Sequence, residues 1–479
     1  MRKTFALLIP ILLPTLMVAQ VNNPAQDRPL VFRHVTLIDM TSEQPKPDMT
    51  VIVSGNRIAG IGKNVKIPKN AKVIDASGKF LIPGLWDMHV HTLDGESEKI
   101  FFPLFIANGV TGVRDMGTSS SLETVRELKH KVASGEVIGP RIVAAGKILD
   151  GPQPKDPPSS IAIATALEGR NAVRLLKREG ADFIKVYNGI PREAYFAIAD
   201  EAEKQGLTFA GHIPISVTAA EASNAGQKSM EHLFGMHEGC ADNENELREY
   251  VMKYAMKHFN YRRFLLSANA VDYFDEKKAG DLFKLLARNR TWQCPTLVQQ
   301  FSACYSDDSI SVHAHDALLK YIYPELREEW NSAESARQRD YKEYYPKLKL
   351  LWSEDLRIVR EMHRSGIPLL AGTDALAILY IYPGFSLHDE LALFVQAGFT
   401  PFEALQTATI NPAQYLGREK DLGTVEKGKL ADLVLLDANP LADISNTNKI
   451  NAVVLNGRLL GRDALDKMLA DVEASAKNK

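Results

Sequence analysis

The sequence predicts an α/β protein: a barrel of eight strand–helix units, (β/α)8, with a small β-sandwich domain built from both ends of the mature chain. Two observations predict it. Between residues 83 and 420, eight short apolar runs alternate with stretches of helical periodicity, the pattern of parallel strands joined by crossover helices. Outside that span, both ends of the chain carry short strand-like runs separated by turn signals.

The first element is a targeting segment. Arg2 and Lys3 precede an apolar run from Phe5 to Val18 that is broken by Pro10 and Pro14, and Ala19-Gln20 offers a cleavage point. The run is too short and too Pro-broken for a spanning helix, so residues 1–20 are expected to be a signal peptide. The mature protein is then periplasmic or secreted, with no stable membrane anchor after cleavage. Residues 21–82 form the first part of the small domain. Val31-Phe32, Val35 to Ile38, Val51 to Val53, Ile58 to Ile61 and Val73-Ile74 are strand-like, with turns at Gly55-Asn56 and Lys69-Asn70. Residues 421–479 supply the second part, through Leu433 to Leu436, Ala452 to Leu455 and a hairpin turn at Asn456-Gly457.

The barrel strands are expected at Leu85–His91, Val110–Asp115, Arg141–Ala145, Phe183–Tyr187, Thr208–His212, Ser229–Leu233, Trp292–Leu297 and Pro368–Asp374. Ser121–Ala133 and Arg192–Lys204 have helical periodicity. Charged, aromatic-rich stretches at about 240–290 and 303–350 read as helical insertions, including Glu244–Lys257 and Glu325–Leu351. They could serve as a lid, as a homo-oligomer contact or as solvated decoration. The chain carries 57 basic and 59 acidic residues, a formal charge of −2, and no basic run interleaved with aromatics, which speaks against nucleic-acid binding. Cys240, Cys294 and Cys304 match no zinc-ribbon spacing and allow at most one disulfide.

Five polar signals fall at the ends of these apolar runs. His89-Val90-His91 closes the first strand, where residues i and i+2 face the same way and two imidazoles can share a divalent metal. Lys185 lies inside Phe183-Ile184-Lys185-Val186-Tyr187, where burial of an ammonium is costly. A neutral amine there can take up carbon dioxide and become a carbamate, an anionic bridge between two metals. His212 and His232 each follow a short apolar strand, and Asp374 ends Leu369-Leu370-Ala371-Gly372-Thr373. Taken singly, His212 or His232 is more often a hydrogen-bonded core residue; an acid at a buried strand end is harder to explain by packing.

The order HxH, Lys, His, His, Asp on strands one, four, five, six and eight resembles the amidohydrolase superfamily, in its binuclear-metal prolidase-like and imidazolonepropionase-like branch. Phe80 to His91 resembles the first strand of these enzymes and Ala371-Gly372-Thr373-Asp374 the last. Leu387 to Leu391, Ala397 to Pro401, Asn411-Pro412-Ala413 and Gly428 to Val434 add further likeness, so the resemblance covers nearly the whole mature chain. It implies a TIM-like barrel in which His89, His91 and Asp374 hold one metal, His212 and His232 hold a second, and carboxylated Lys185 bridges them. Zinc is the default metal, with manganese, cobalt or iron as alternatives. Asp374 would take the proton of a metal-bridging hydroxide and pass it to the leaving amine.

Around that core, Tyr187 faces the same side as Lys185 and resembles a substrate or oxyanion contact of prolidase-like members. His388 could touch substrate or act in catalysis. Arg114, at the end of the second strand, could bind a substrate carboxylate, with a structural salt bridge as the competing reading. The loop Lys147 to Pro154 departs from relatives that carry a pocket histidine there, so the resemblance bears on the metal chemistry more than on substrate preference. His313-Ala314-His315 sits in a helical-looking stretch where i and i+2 diverge, and His237 lacks strand context; neither is expected to bind metal. The expected function is hydrolysis of amide bonds in dipeptides or N-acyl amino acids. Hydrolysis of cyclic amides or lactones is the alternative. A catalytically silent binding protein is a third reading, disfavoured because all six ligand positions are filled.

Overall fold

Residues 28–95, 97–254, 259–307, 315–377 and 379–477 are described by the computed structural model, so the expected signal peptide lies outside them. The N-terminal strands are β1 (Leu30–Leu37), β2 (Lys46–Ser54), β3 (Arg57–Gly62), β4 (Lys72–Asp75) and β5 (Phe80–Pro83). Next come β6 (Leu85–Val90), β7 (Val110–Asp115), β8 (Arg141–Ala144), β9 (Ile148–Asp150) and β10 (Ser160–Ala162). They are followed by β11 (Ile184–Val186), β12 (Phe209–Gly211), β13 (Ser229–Glu231) and β14 (Trp292–Cys294). The chain closes with β15 (Leu433–Leu436), β16 (Ile450–Leu455) and β17 (Arg458–Gly461).

Both ends of the chain meet in one sheet, ordered β17-β16-β15-β5-β1-β2-β3, with β4 on β1. β5 joins them: Leu81 lies opposite Leu435 in the antiparallel pairing with β15 and beside Leu37 in the parallel pairing with β1. Phe32, Leu37, Val51, Leu81, Leu433 and Val454 bury one apolar face in a cluster of their own. These strands form one hydrogen-bonded sheet, in which β1, its register shifted on either side of Val35, pairs with β4 along its first half and β5 along its second.

The remaining strands make two parallel arcs, β6-β7-β8 and β10-β9-β11-β12-β13-β14. The expected third strand breaks after β8, where Gly146 takes φ +74°; β8 stays on β7, while Leu149 of β9 pairs with Val186 of β11. The expected eighth strand is not a ladder strand. Leu369 bridges Gln293 and Ala375 bridges Val90, each as an isolated contact. Thr373 is instead held by the Asp87 carboxylate, which accepts from its backbone N–H at 3.0 Å and its hydroxyl at 2.7 Å. The eight units are thus two arcs tied at strand three and at residues 368–375, where an uninterrupted barrel ladder was expected.

Helices at Leu122–Ser134 and Arg192–Lys204 match their predicted periodicity. The insertions are helical, with Glu244–Tyr254, Phe259–Ala270 and Glu276–Asn289 in the first, and Pro324–Tyr341 and Tyr345–Arg364 in the second. The last helix runs past its expected end because Ile358, Val359 and Met362 continue the buried stripe begun by Leu348 and Leu351. The three cysteines are free and buried. No helix among the described residues is long and apolar enough to cross a membrane.

Gly211 ends β12 immediately before His212 at φ +134°, and a Cβ there would lie 2.2 Å from the Val186 carbonyl oxygen on β11. Gly211→Ala is therefore expected to cost roughly 2–4 kcal/mol, from steric overlap and backbone strain together. A urea denaturation midpoint equal to wild type would contradict this close approach.

Candidate functional site

The six predicted ligand side chains converge just beyond the carboxyl ends of the strands. His89 lies at the end of β6 and is fully buried. Its Nδ1 faces Glu231 Oε2 at 2.8 Å. A carboxylate only accepts, so Nδ1 carries the proton and the Nε2 lone pair turns toward the cluster. Nε2 stands 3.4 Å from both Lys185 Nζ and Asp374 Oδ1. His91 follows the same logic: Nδ1 donates to the Gly117 carbonyl at 3.0 Å and Nε2 stands 3.4 Å from Asp374 Oδ1. His232 Nδ1 donates to Thr296 Oγ1 at 2.7 Å, the Thr296 hydroxyl being spent on the Pro295 carbonyl. The rings of His89 and His232 lie 4.5 Å apart, those of His232 and His212 4.7 Å, and that of Tyr187 4.1 Å from His212.

Burial sets the charge states. It holds His89 well below the usual imidazole range and brings His232 down to about 3, so both rings are neutral. It brings the Lys185 ammonium down to about 8. Burial opposes a proton on His91 and an ionised Asp374, but their neighbours outweigh it: Asp374 raises His91, and His232, then His91 and Lys185, lower Asp374. His232, Thr296 and Asp374 adopt left-handed backbone, at φ +64°, +48° and +62°. Such strain in non-glycine residues persists where surrounding contacts enforce it.

The donor set fits a divalent cation. Asp374 Oδ1 is buried and makes no hydrogen bond of good geometry, yet two imidazole Nε2 atoms stand 3.4 Å away. Donors about 2.0–2.1 Å from a tetrahedral ion stand roughly 3.3 Å from one another. His89, Glu231 and Cys294 also lie within 4.8 Å of one another, but Arg114 engages that carboxylate and burial keeps the Cys294 thiol protonated.

Two predicted substrate contacts are overturned. Arg114 is fully buried and spent: it donates to the Met88 carbonyl at 2.5 Å, to Ser229 and Tyr415 hydroxyls at 2.9 Å, and to both oxygens of Glu231 at 3.0 and 3.1 Å. It is the salt bridge, not a carboxylate anchor. His388 is also buried, bonded to Thr447 Oγ1 at 2.9 Å and to the Asn108 carbonyl at 3.1 Å. It pins its helix, Phe385–Gln396, to neighbouring segments and takes no catalytic position. His237 is a buried partner of Asp355 at 2.7 Å, away from the cluster's ligand side chains. His315 pairs with Asp389, while His313 lies outside the described residues.

Sequence reasoning missed Glu231, Asp87 and Thr296. The first two had a signal, since each is an acid inside a buried apolar strand, the same cost argument that singled out Lys185 and Asp374. Thr296 had none.

Residues 80–460 match the amidohydrolase family. This chain belongs to that family. A Xaa-Pro dipeptidase structure with bound methionine is 23% identical, with 90% of this chain and 100% of that one covered at a TM-score of 0.65. Bottromycin amidohydrolase is 22% identical, covering 95% and 92% at a TM-score of 0.74. Among curated proteins, the ochratoxinase of Aspergillus niger is 22% identical over 475 residues, 86% of this chain and 82% of that protein. The fold of this amidohydrolase is thus that of prolidase-like members, which implies a TIM barrel plus a small domain.

Glu231→Gln would leave Arg114 buried beside a neutral amide. It is expected to cost roughly 3–5 kcal/mol of stability and about 10–100-fold in metal affinity, read by denaturation and by metal titration. Wild-type values in both would remove Glu231 from its supporting role. A second outcome concerns pH. Glu390 is buried, accepts from Val298 N–H at 2.8 Å, and burial pushes its carboxyl up to about 8. The unfolded chain ionises this group near 4.5, so its contribution to stability falls as pH rises from there toward 8. Glu390→Gln is expected to flatten that limb, and parallel pH–stability curves for the two proteins would count against it.

Proposed function

We propose that this amidohydrolase is an exported, metal-dependent hydrolase of amide bonds in dipeptides or N-acyl amino acids. The observation that carries the reading is the meeting of His89, His91, Lys185, His232 and Asp374 around one buried point, with imidazole lone pairs turned inward. His89, His91 and Asp374 would hold one divalent ion, His212 and His232 a second, with zinc as the default. Bound there, the ions supply polarisation of the scissile carbonyl and a water acidic enough to attack at neutral pH.

The chain's own groups do the rest. Asp374, held below the ordinary carboxylate range by the His232, His91 and Lys185 side chains around it, takes a proton at its carboxylate and returns it to the leaving nitrogen. Lys185, brought to about 8, offers a neutral amine that can add carbon dioxide and lose a proton to become an anionic carbamate. Tyr187, half-buried against His212, would offer its hydroxyl hydrogen to a substrate oxygen. The substrate class also agrees with the names of two structural neighbours, a Xaa-Pro dipeptidase and a prolidase complexed with n-methylphosphonate-l-proline. Export rests on residues 1–20 alone.

A specific observation favours a second reading, hydrolysis of cyclic amides or lactones. Arg114 was the predicted anchor for a substrate carboxylate, and it is unavailable to any ligand. The discriminating experiment is amine release from dipeptides and N-acyl amino acids, each paired with its C-terminal amide, using metal- and bicarbonate-supplemented enzyme. Cleavage of acids but not amides supports the first reading; cleavage of neither moves the function to cyclic substrates. In that assay His89→Ala and Asp374→Asn should each abolish turnover, and wild-type rates in either would overturn the mechanism. Lys185→Ala should lose bound metal and regain part of its activity with short carboxylic acids.

A further inference from the structure

A cavity of about 520 Å³ opens at the other ends of the strands, where β8, β11, β12 and β13 begin. Its wall is largely apolar, including Trp86, Ile142, Phe183, Leu416 and Leu460. Five cationic side chains line it, Lys129, Arg141, Lys228, Arg418 and Arg458, against one acid, Asp182. Three are paired: Lys129 with Asp182, Arg141 with Asp432 at 2.6 Å, and Arg418 with Asp421 at 3.1 Å. Among the described residues, Lys228 and Arg458 have no carboxylate within 4.0 Å.

Lys228 is the more telling of the two. It is half-buried, and its ammonium rests 4.6 Å from the centre of the Tyr415 ring. An ammonium withdrawn from water without a counter-charge is costly, and a ring face offsets only part of that cost. The cavity therefore combines apolar area for a hydrocarbon body with two uncompensated cations for a charged head. Tyr415 also accepts from Arg114 at 2.9 Å, so an occupant at Lys228 would sit one side chain away from the Arg114–Glu231 pair that supports His89.

We propose that this cavity is a binding site for an amphipathic organic anion, a monocarboxylate with an apolar body, distinct from the metal cluster at the opposite strand ends. Lys228 and Arg458 answer the carboxylate, and Trp86 and Phe183 pack the body.

The test is calorimetric titration of the full chain with octanoate and with octanol, in metal-loaded and chelator-treated forms. Octanoate should bind saturably in both forms and about tenfold more tightly than octanol. Lys228→Met and Arg458→Gln should each weaken octanoate several-fold and leave octanol unchanged. Arg458 is exposed on a hairpin, so its variant keeps the test open if Lys228→Met misfolds. Equal affinity for acid and alcohol, wild-type octanoate affinity in Arg458→Gln, or binding that disappears with the metal would each overturn the proposal. The last outcome would place the carboxylate at the metal cluster instead.

Discussion

One buried carboxylate organises the centre of this protein. Glu231, on β13, accepts from His89 of β6, Arg114 of β7 and Ser229 of its own strand. Arg114 in turn grips the Met88 carbonyl and the Tyr415 hydroxyl. A lone ion at this depth would be untenable; here each charge has a full set of partners, so the pair can be kept in the core. Its consequence reaches the chemistry directly. Because Glu231 accepts the Nδ1–H hydrogen bond of His89, the opposite nitrogen is left as a lone pair aimed at Lys185 and Asp374.

The backbone serves the same end by stopping its ladders early. β6, β11, β12, β13 and β14 end at Val90, Val186, Gly211, Glu231 and Cys294. Tyr187, His91, His212 and His232 follow one residue later and Thr296 two, past the last paired residue of each strand. His232, Thr296 and Asp374 take left-handed conformations. The run before Asp374 keeps only an isolated bridge, Leu369 to Gln293, and its end hangs from Asp87. Burial lifts that carboxyl to about 7, a cost offset by three hydrogen bonds, from Thr373 twice and from His89 N–H.

The two ends of the strands therefore have opposite characters. The carboxyl ends gather imidazoles, an amine and an acid in a largely buried cluster. The amino ends carry an apolar cavity with an excess of cations. Tyr415 and Arg114 lie between them, which is why Arg114 serves the core and has no donor left for a substrate.

Much of this was legible in the chain alone, for a physical reason. Apolar runs with period-two or helical spacing must be buried, so eight strand candidates stood out, seven of which are ladder strands, and polar groups at their ends are costly enough to mark a site. That logic found His89, His91, Lys185, His212, His232 and Asp374, and all six meet. The same logic could not say what each polar group faces. Arg114 and Asp374 carry one signature, a charged residue ending an apolar strand; only the fold shows that Arg114 meets Glu231, 117 positions away, while Asp374 faces imidazoles. His388 looked free and is held by Thr447 and Asn108. The break of strand three at Gly146 and the reduction of the eighth run to isolated bridges were equally hidden. Sequence by itself determined which groups must be buried and at which strand ends. Tertiary structure decided their partners, because hydrogen bonds and ion pairs join residues hundreds of positions apart, and no local pattern records them.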